Sequence, residues 1–225
     1  MTIENKVEVE VTRFFEHFRG RLAAVEQLQT PSTVEMTPDQ HILLGAALET
    51  LSAYWSRTTL PKDISSGSLR MDAFLAKHGP QPFKRVSSPA LRELLAANSK
   101  ALMILDKLAP RIASGTVQRW TKAGETLTLA AALAPAGVSA KDVKKQSFGA
   151  ILYREHRCAW LHSSDQGGIS SDPSFGNDPC HVFRNGVPTL TLPAPFLIQT
   201  LGSAIDGFEV ECQTSGLKGV VLRCD

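Results

Sequence analysis

The sequence predicts a mainly α fold, a helical bundle with a small C-terminal β-hairpin, and three observations lead there. Long segments place apolar residues three and four positions apart, the period of an amphipathic helix. Ser or Thr followed by Pro opens several of these segments, as at Thr37–Pro38 and Ser88–Pro89, which supplies a cap and a favoured first-turn residue. Only near the C-terminus does an Asn-Gly pair, Asn185 and Gly186, stand between two β-prone runs, the signature of a hairpin.

The elements follow in chain order. Val11, Phe14, Phe15, Phe18, Leu22 and Val25 predict a helix from Val7 to about Leu28, closed by Pro31. The second helix, roughly 38 to 57, is apolar around most of its circumference and belongs at the bundle centre. Residues 58 to 68 read as a loop, and LRMDAFLAKH as a short helix ended by Gly79 and Pro80. Helix is expected from Ser88–Pro89 to a break near Pro110. Residues 115 to 137 fit either one helix interrupted at Gly124 or two short pieces.

Ser139, with Asp142 three residues on, forms an acidic variant of the capping box and opens a helix expected from about 140 to 162. A polar loop, 163–180, follows; loops of that length are unusual inside compact domains. HVFR and VPTLTL are the hairpin strands, Pro188 confining its strand to an edge, and Phe196, Leu197, Leu201, Ile205 and Phe208 mark a last helix. The organisation expected is one domain over 1–225. Its parts are an N-terminal helix and linker (1–36), a bundle core (38–162), the polar loop, and the hairpin with the last helix (181–225).

Bulk properties narrow the function. With 225 residues, 43% hydrophobic, the chain carries enough apolar material for one substantial core. The longest apolar run, around position 130, is broken by Pro135 and Gly137 and is too short to cross a bilayer, so no membrane association is expected. The first residues lack a secretory pattern, and Cys158, Cys180, Cys212 and Cys224 form no CxxC pair. A reducing cytoplasm with free thiols is the expected setting. A net charge of +2 gives no strongly basic global field, so any polyanion must be held by a local cluster.

One cluster stands out: Tyr153, Arg154, Glu155, His156, Arg157, Cys158, Ala159, Trp160, Leu161, His162. At about 100° per residue on an ideal helix, Glu155, Cys158 and His162 form one stripe and Tyr153, Arg157 and Trp160 the next. Arg157 and His162 then stand about 140° apart, so they converge only if His162 lies at the helix end or a second chain brings its own copy. An imidazole with a pKa of about 6.5 can take or give a proton at neutral pH. A guanidinium can hold a phosphate bidentately. The same residues allow two other chemistries. Cys158 and His162, four apart, with Cys180 and His181, are soft ligands for zinc, although the adjacent Cys180–His181 pair has an awkward geometry. Cys158 as a nucleophile is disfavoured, because a half-buried helical cysteine is usually inert packing.

Arg157, four intervening residues and His162 resemble the motif of the HEPN superfamily, an Arg and a His near the end of a bundle helix. LYREHRCAWLH is similar to the wording found in uncharacterised bacterial HEPN-like proteins, and ALETLSAYWSR followed by RMDAFLAKHG resembles their preceding helices. The resemblance spans about 38–210 and is most specific over 150–163. It departs from the better-studied nucleases at Cys158, where they carry a polar residue. It implies a homodimer with two motifs facing one groove, and a metal-independent, cofactor-free endoribonuclease in which Arg157 and His162 are catalytic and a cyclic phosphate is formed. Arg154, Lys144 and Lys145 would track the RNA backbone, with Tyr153, Glu155 and Cys158 in support. A toxin or antiviral role, with an antitoxin or other protein partner, follows from the same analogy. The alternative is a non-catalytic HEPN-like module for dimerisation or for binding nucleotides or partners.

Overall fold

A computed structural model describes residues 6–28, 38–60, 64–109, 117–119, 126–157, 169–170, 178–184 and 187–223. The chain is mainly α-helical. Strand β1 (Lys6–Glu10) leads into α1 (Val11–Gln27), followed by α2 (Pro38–Thr59), α3 (Gly67–His78) and a 3₁₀ turn (Gln81–Lys84). Next come α4 (Ser88–Leu94), α5 (Ser99–Leu108), β2 (Val117–Arg119), α6 (Thr126–Leu133), α7 (Ala140–Lys144) and α8 (Phe148–Ile151). A wide π turn, Leu152–Arg157, continues α8; β3 (Ile169–Ser170), β4 (Cys180–Arg184), β5 (Val187–Thr191), α9 (Ala194–Thr214) and β6 (Gly219–Arg223) complete the chain.

The main core gathers the inward faces of α1, α2, α3 and α9. Phe15, Phe18, Leu44, Leu48, Leu51, Phe74, Leu201 and Phe208 are all buried there. Phe208 meets Phe14, Phe15 and Phe74 edge to face, an arrangement the ring quadrupole favours. A polar latch sits at the margin of this core. Glu211 on α9 accepts from Trp55 Nε1 at 3.0 Å, lies 2.8 Å from His78 Nε2 and pairs with Lys77, so one carboxylate ties α9 to α2 and α3. A second, smaller apolar cluster joins α4, α5, α6 and α7 through Leu91, Leu105, Leu129, Leu133 and Val143. Among the described residues no helix is long and apolar enough to cross a membrane.

Several elements depart from the sequence reading. The helix expected from Val7 begins at Val11, because residues 6–10 pair antiparallel with β6 from Lys6↔Arg223 to Glu10↔Gly219. The alternation of KVEVE is a strand period that the neighbouring helical pattern obscured. The helix opened at Ser88–Pro89 breaks not only near Pro110 but already at Asn98, whose side chain accepts from Ala101 N and caps α5. The cap of α4 is Ser87 rather than Ser88.

The helix expected from 140 to 162 is also interrupted. Its start is as expected, with Ser139 Oγ accepting from Asp142 N at 3.1 Å. At 145–147, however, the backbone turns aside to bridge the segment before α4. Ser87 N donates to Gln146 O and Phe148 N to Arg85 O, and Ser147 restarts the helix by accepting from Ala150 N. Satisfying these buried backbone groups across the chain wins over continuing the ladder.

The hairpin strands β4 and β5 pair as expected, Cys180↔Thr191 to Arg184↔Val187, while Asn185 and Gly186 lie outside the described residues. They belong to a four-stranded sheet in the order β2-β4-β5-β3. Strand β5 is therefore not an edge. Pro188 is tolerated because β3 reaches only Leu190 and Thr191, leaving the proline beyond its end. Of 115–137, Val117–Arg119 are strand and Thr126–Leu133 helix; Gly124 lies outside the described residues, as does most of the polar loop.

Candidate functional site

The wide turn Leu152–Arg157 carries the sequence LYREHR. Leu152 is buried in the main core and anchors its start. Tyr153 is half-buried, and its ring stands so close over Gly67 at the start of α3 that a Cβ there would collide with the phenol. These two side chains hold the turn against the bundle, which leaves Arg154 and Glu155 facing outward. A π turn closes i→i+5 rings, so successive side chains advance by less than on an α-helix, and the stripes drawn from an ideal helix do not hold across it.

Arg154 and Glu155 line a cleft of about 680 Å³. Its other walls are the start of α4, with Ser87, Ala90 and Glu93, then Gln146 and Ile151, and His181, Pro188 and Leu190 from the sheet. Arg154 is engaged: its Nε donates to Glu155 Oε1 at 2.7 Å and its Nη1 to Lys145 O at 3.0 Å. It thereby ties the turn to the C-terminal end of α7, where a cation meets the orphan carbonyls favourably.

The floor of the cleft holds a pair that the sequence reading did not foresee. Ser87 Oγ lies 2.9 Å from His181 Nε2, and both residues are buried. Burial in this apolar setting lowers the His181 pKa to about 4, so the imidazole is neutral at pH 7. Ser87 Oγ also accepts from Ala90 N at 3.2 Å as the cap of α4. Its remaining hydrogen bond to His181 runs in the direction set by the imidazole tautomer. The available signal was SSP, where the capping serine and its neighbour are chemically alike, and His181 next to Cys180, a pair that also suits zinc. In the fold His181 turns its Nε2 to Ser87.

The residues singled out from sequence are thus distributed. Arg154 and Glu155 share the cleft, while Tyr153 packs its ring on Gly67 instead. Lys144 lines a different cavity beside Asp72, and Lys145 pairs with Asp142 Oδ1 at 2.9 Å on the exposed face of α7. The backbone of Arg157 ends the wide turn; its side chain, and Cys158 and His162, lie outside the described residues. Among the described residues no group of three His, Cys, Asp or Glu side chains is placed to hold a metal ion. Comparison with known proteins finds no matching family model, no similar curated protein and no similar solved structure.

Proposed function

We propose that the protein is a metal-independent endoribonuclease of the HEPN type, acting as a homodimer, with Arg157 and His162 as its catalytic pair. The observation that carries this reading is the position of the LYREHR segment. It forms a π turn, a feature frequent at functional sites, on the wall of a cleft large enough for a nucleotide, and it ends at Arg157. The imidazole of His162 takes the proton of a ribose 2′-hydroxyl, the 2′-oxygen attacks the adjacent phosphorus, and the bond to the 5′-oxygen breaks as the imidazolium gives that proton to it. The Arg157 guanidinium holds the non-bridging oxygens as charge builds on them. The product is a cyclic phosphate. Arg154, on the same wall, supplies backbone-tracking charge, and Lys144 and Lys145 extend it along α7. A cytoplasmic toxin or defence effector, kept in check by a protein partner, is the biological setting in keeping with this chemistry.

One observation favours the second reading, a non-catalytic module that uses the same face to dimerise or bind a partner. Arg154 and Glu155 already satisfy one another, which lowers the charge the cleft presents to a polyanion. The two readings separate on a single assay. Purified protein incubated with RNA in EDTA is expected to cleave it, while His162→Ala and Arg157→Ala do not; identical behaviour of all three forms favours the module.

A further inference from the structure

A second cavity, of about 720 Å³, opens between α3, the turn Gln81–Lys84, α6 and α7, and shares no lining residue with the cleft. Leu69, Ala73, Ala76 and Phe83 give it apolar walls, the two alanines leaving the space that larger side chains would fill. Leu127, 78% exposed, stands at its rim, an apolar side chain with nothing over it among the described residues. Three ionisable groups converge on this space: Asp72, which is 8% exposed, and the exposed Lys84 and Lys144.

The position of Asp72 is fixed by backbone packing. A Cβ on Gly149 would stand 2.7 Å from Asp72 Cα, so α3 and α8 touch through the glycine and the aspartate cannot retreat. Burial raises its carboxyl pKa to about 6, while a hydrogen bond from Ser147 and the charge of Lys144 pull it back down. A desolvated carboxyl in an apolar cavity costs stability that an amide or an apolar residue in its place would not. Its surroundings carry a net positive charge from the two lysines. A pocket with apolar walls, few convergent polar groups and one perturbed titratable side chain has the composition of a small-molecule site.

We propose that this cavity binds an organic monocarboxylate with an apolar body, its carboxylate received by Lys84, Lys144 and Asp72. The body lies along Ala73, Ala76 and Phe83 and covers Leu127. An ammonium ligand would have to sit beside two lysines, and a neutral one would leave their charge unused. The inference does not rest on the ribonuclease reading, and Lys144 is the one residue the two share. On binding, the Asp72 carboxylate takes one proton from solvent and donates it as a hydrogen bond to the ligand's oxygen. The groups that act on Asp72 are Lys144 from α7 and the Ser147 hydroxyl ahead of α8, and Lys84 from the turn lines the same cavity.

Calorimetric titration of the full chain with octanoate, octanol and octylamine tests this. Octanoate is expected to bind, with Kd roughly tenfold weaker at about pH 7.5 than at about pH 6, because one proton is taken up. Octylamine is expected not to bind. Lys84→Ala weakens octanoate binding, and Ala76→Phe, which fills the cavity without changing its charge, abolishes it. Asp72→Asn, whose amide still donates, retains binding but loses the pH dependence. Binding of octylamine as tightly as octanoate, octanoate binding that ignores pH in the unaltered chain or persists in Ala76→Phe, or no binding of octanoate would each overturn the proposal.

Discussion

Burial acts with opposite sign on Asp72 and on His181. The Asp72 carboxyl, raised to about 6, holds its proton more readily folded than unfolded, so its burden on stability is full above pH 6 and fades as pH falls towards the ordinary carboxylate value. Asp72→Asn is therefore expected to stabilise the protein at pH 7.5 by up to about 3 kcal/mol and to lose that advantage near pH 4, as denaturant unfolding at the two pH values will read. His181 and His41 are both lowered to about 4 by burial. Each binds a proton in the unfolded chain first, so stability falls as pH drops from about 6.5 towards 4, by up to about 3 kcal/mol per histidine. His181→Gln should flatten part of that slope; an unchanged slope would mean that the imidazole titrates alike in the folded and unfolded chain, and would contradict its burial. None of these three environments was legible in the sequence. Asp72 sits in RMDAFLAKH as an ordinary helical charge, and its burial depends on α8, where Gly149 comes close to its backbone and Ser147 reaches its carboxyl.

Elements were legible where one pattern dominated. Val11 to Val25, the residues after Pro38, and Phe196 to Phe208 carry uninterrupted helical spacing, and α1, α2 and α9 lie within a few residues of where that spacing puts them. The segment from 140 to 157 was not legible, because its break is set by partners about sixty residues away. Ser87, Arg85 and Val86 draw 146–148 into bridging contacts, and nothing in AKDVKKQSFGAILYREHR marks this except Ser147. That serine reads as a helix-interior residue until its capping bond to Ala150 N is seen. Gly149 has the same hidden role. Gly149→Ala would press a methyl group into the α3 backbone, with a cost of about 1–3 kcal/mol measurable as a lowered unfolding midpoint. An alanine tolerated without loss would show that α3 and α8 can separate at no cost, and would weaken the account of how Asp72 is held.

At the scale of the molecule, the mainly α bundle was readable from composition and period, whereas the pairing of the chain's two end strands was not, since it joins residues 6–10 to 219–223. Phe208 shows why the bundle holds: fully buried, it meets aromatic rings from α1 and α3 at once. Phe208→Ala should cost about 3–5 kcal/mol by removing transfer energy and leaving a cavity, and a loss below 1 kcal/mol in a thermal or denaturant melt would contradict the packing described. Of the candidate site only the segment that carries Arg154 and Glu155 was singled out from sequence; Ser87 and His181 come to the same cleft from distant elements. The central functional claim is most directly tested by RNA cleavage in EDTA. The account predicts fragments ending in a cyclic phosphate from the unaltered protein and none from His162→Ala or Arg157→Ala; equal cleavage by all three, or none by any, would contradict it.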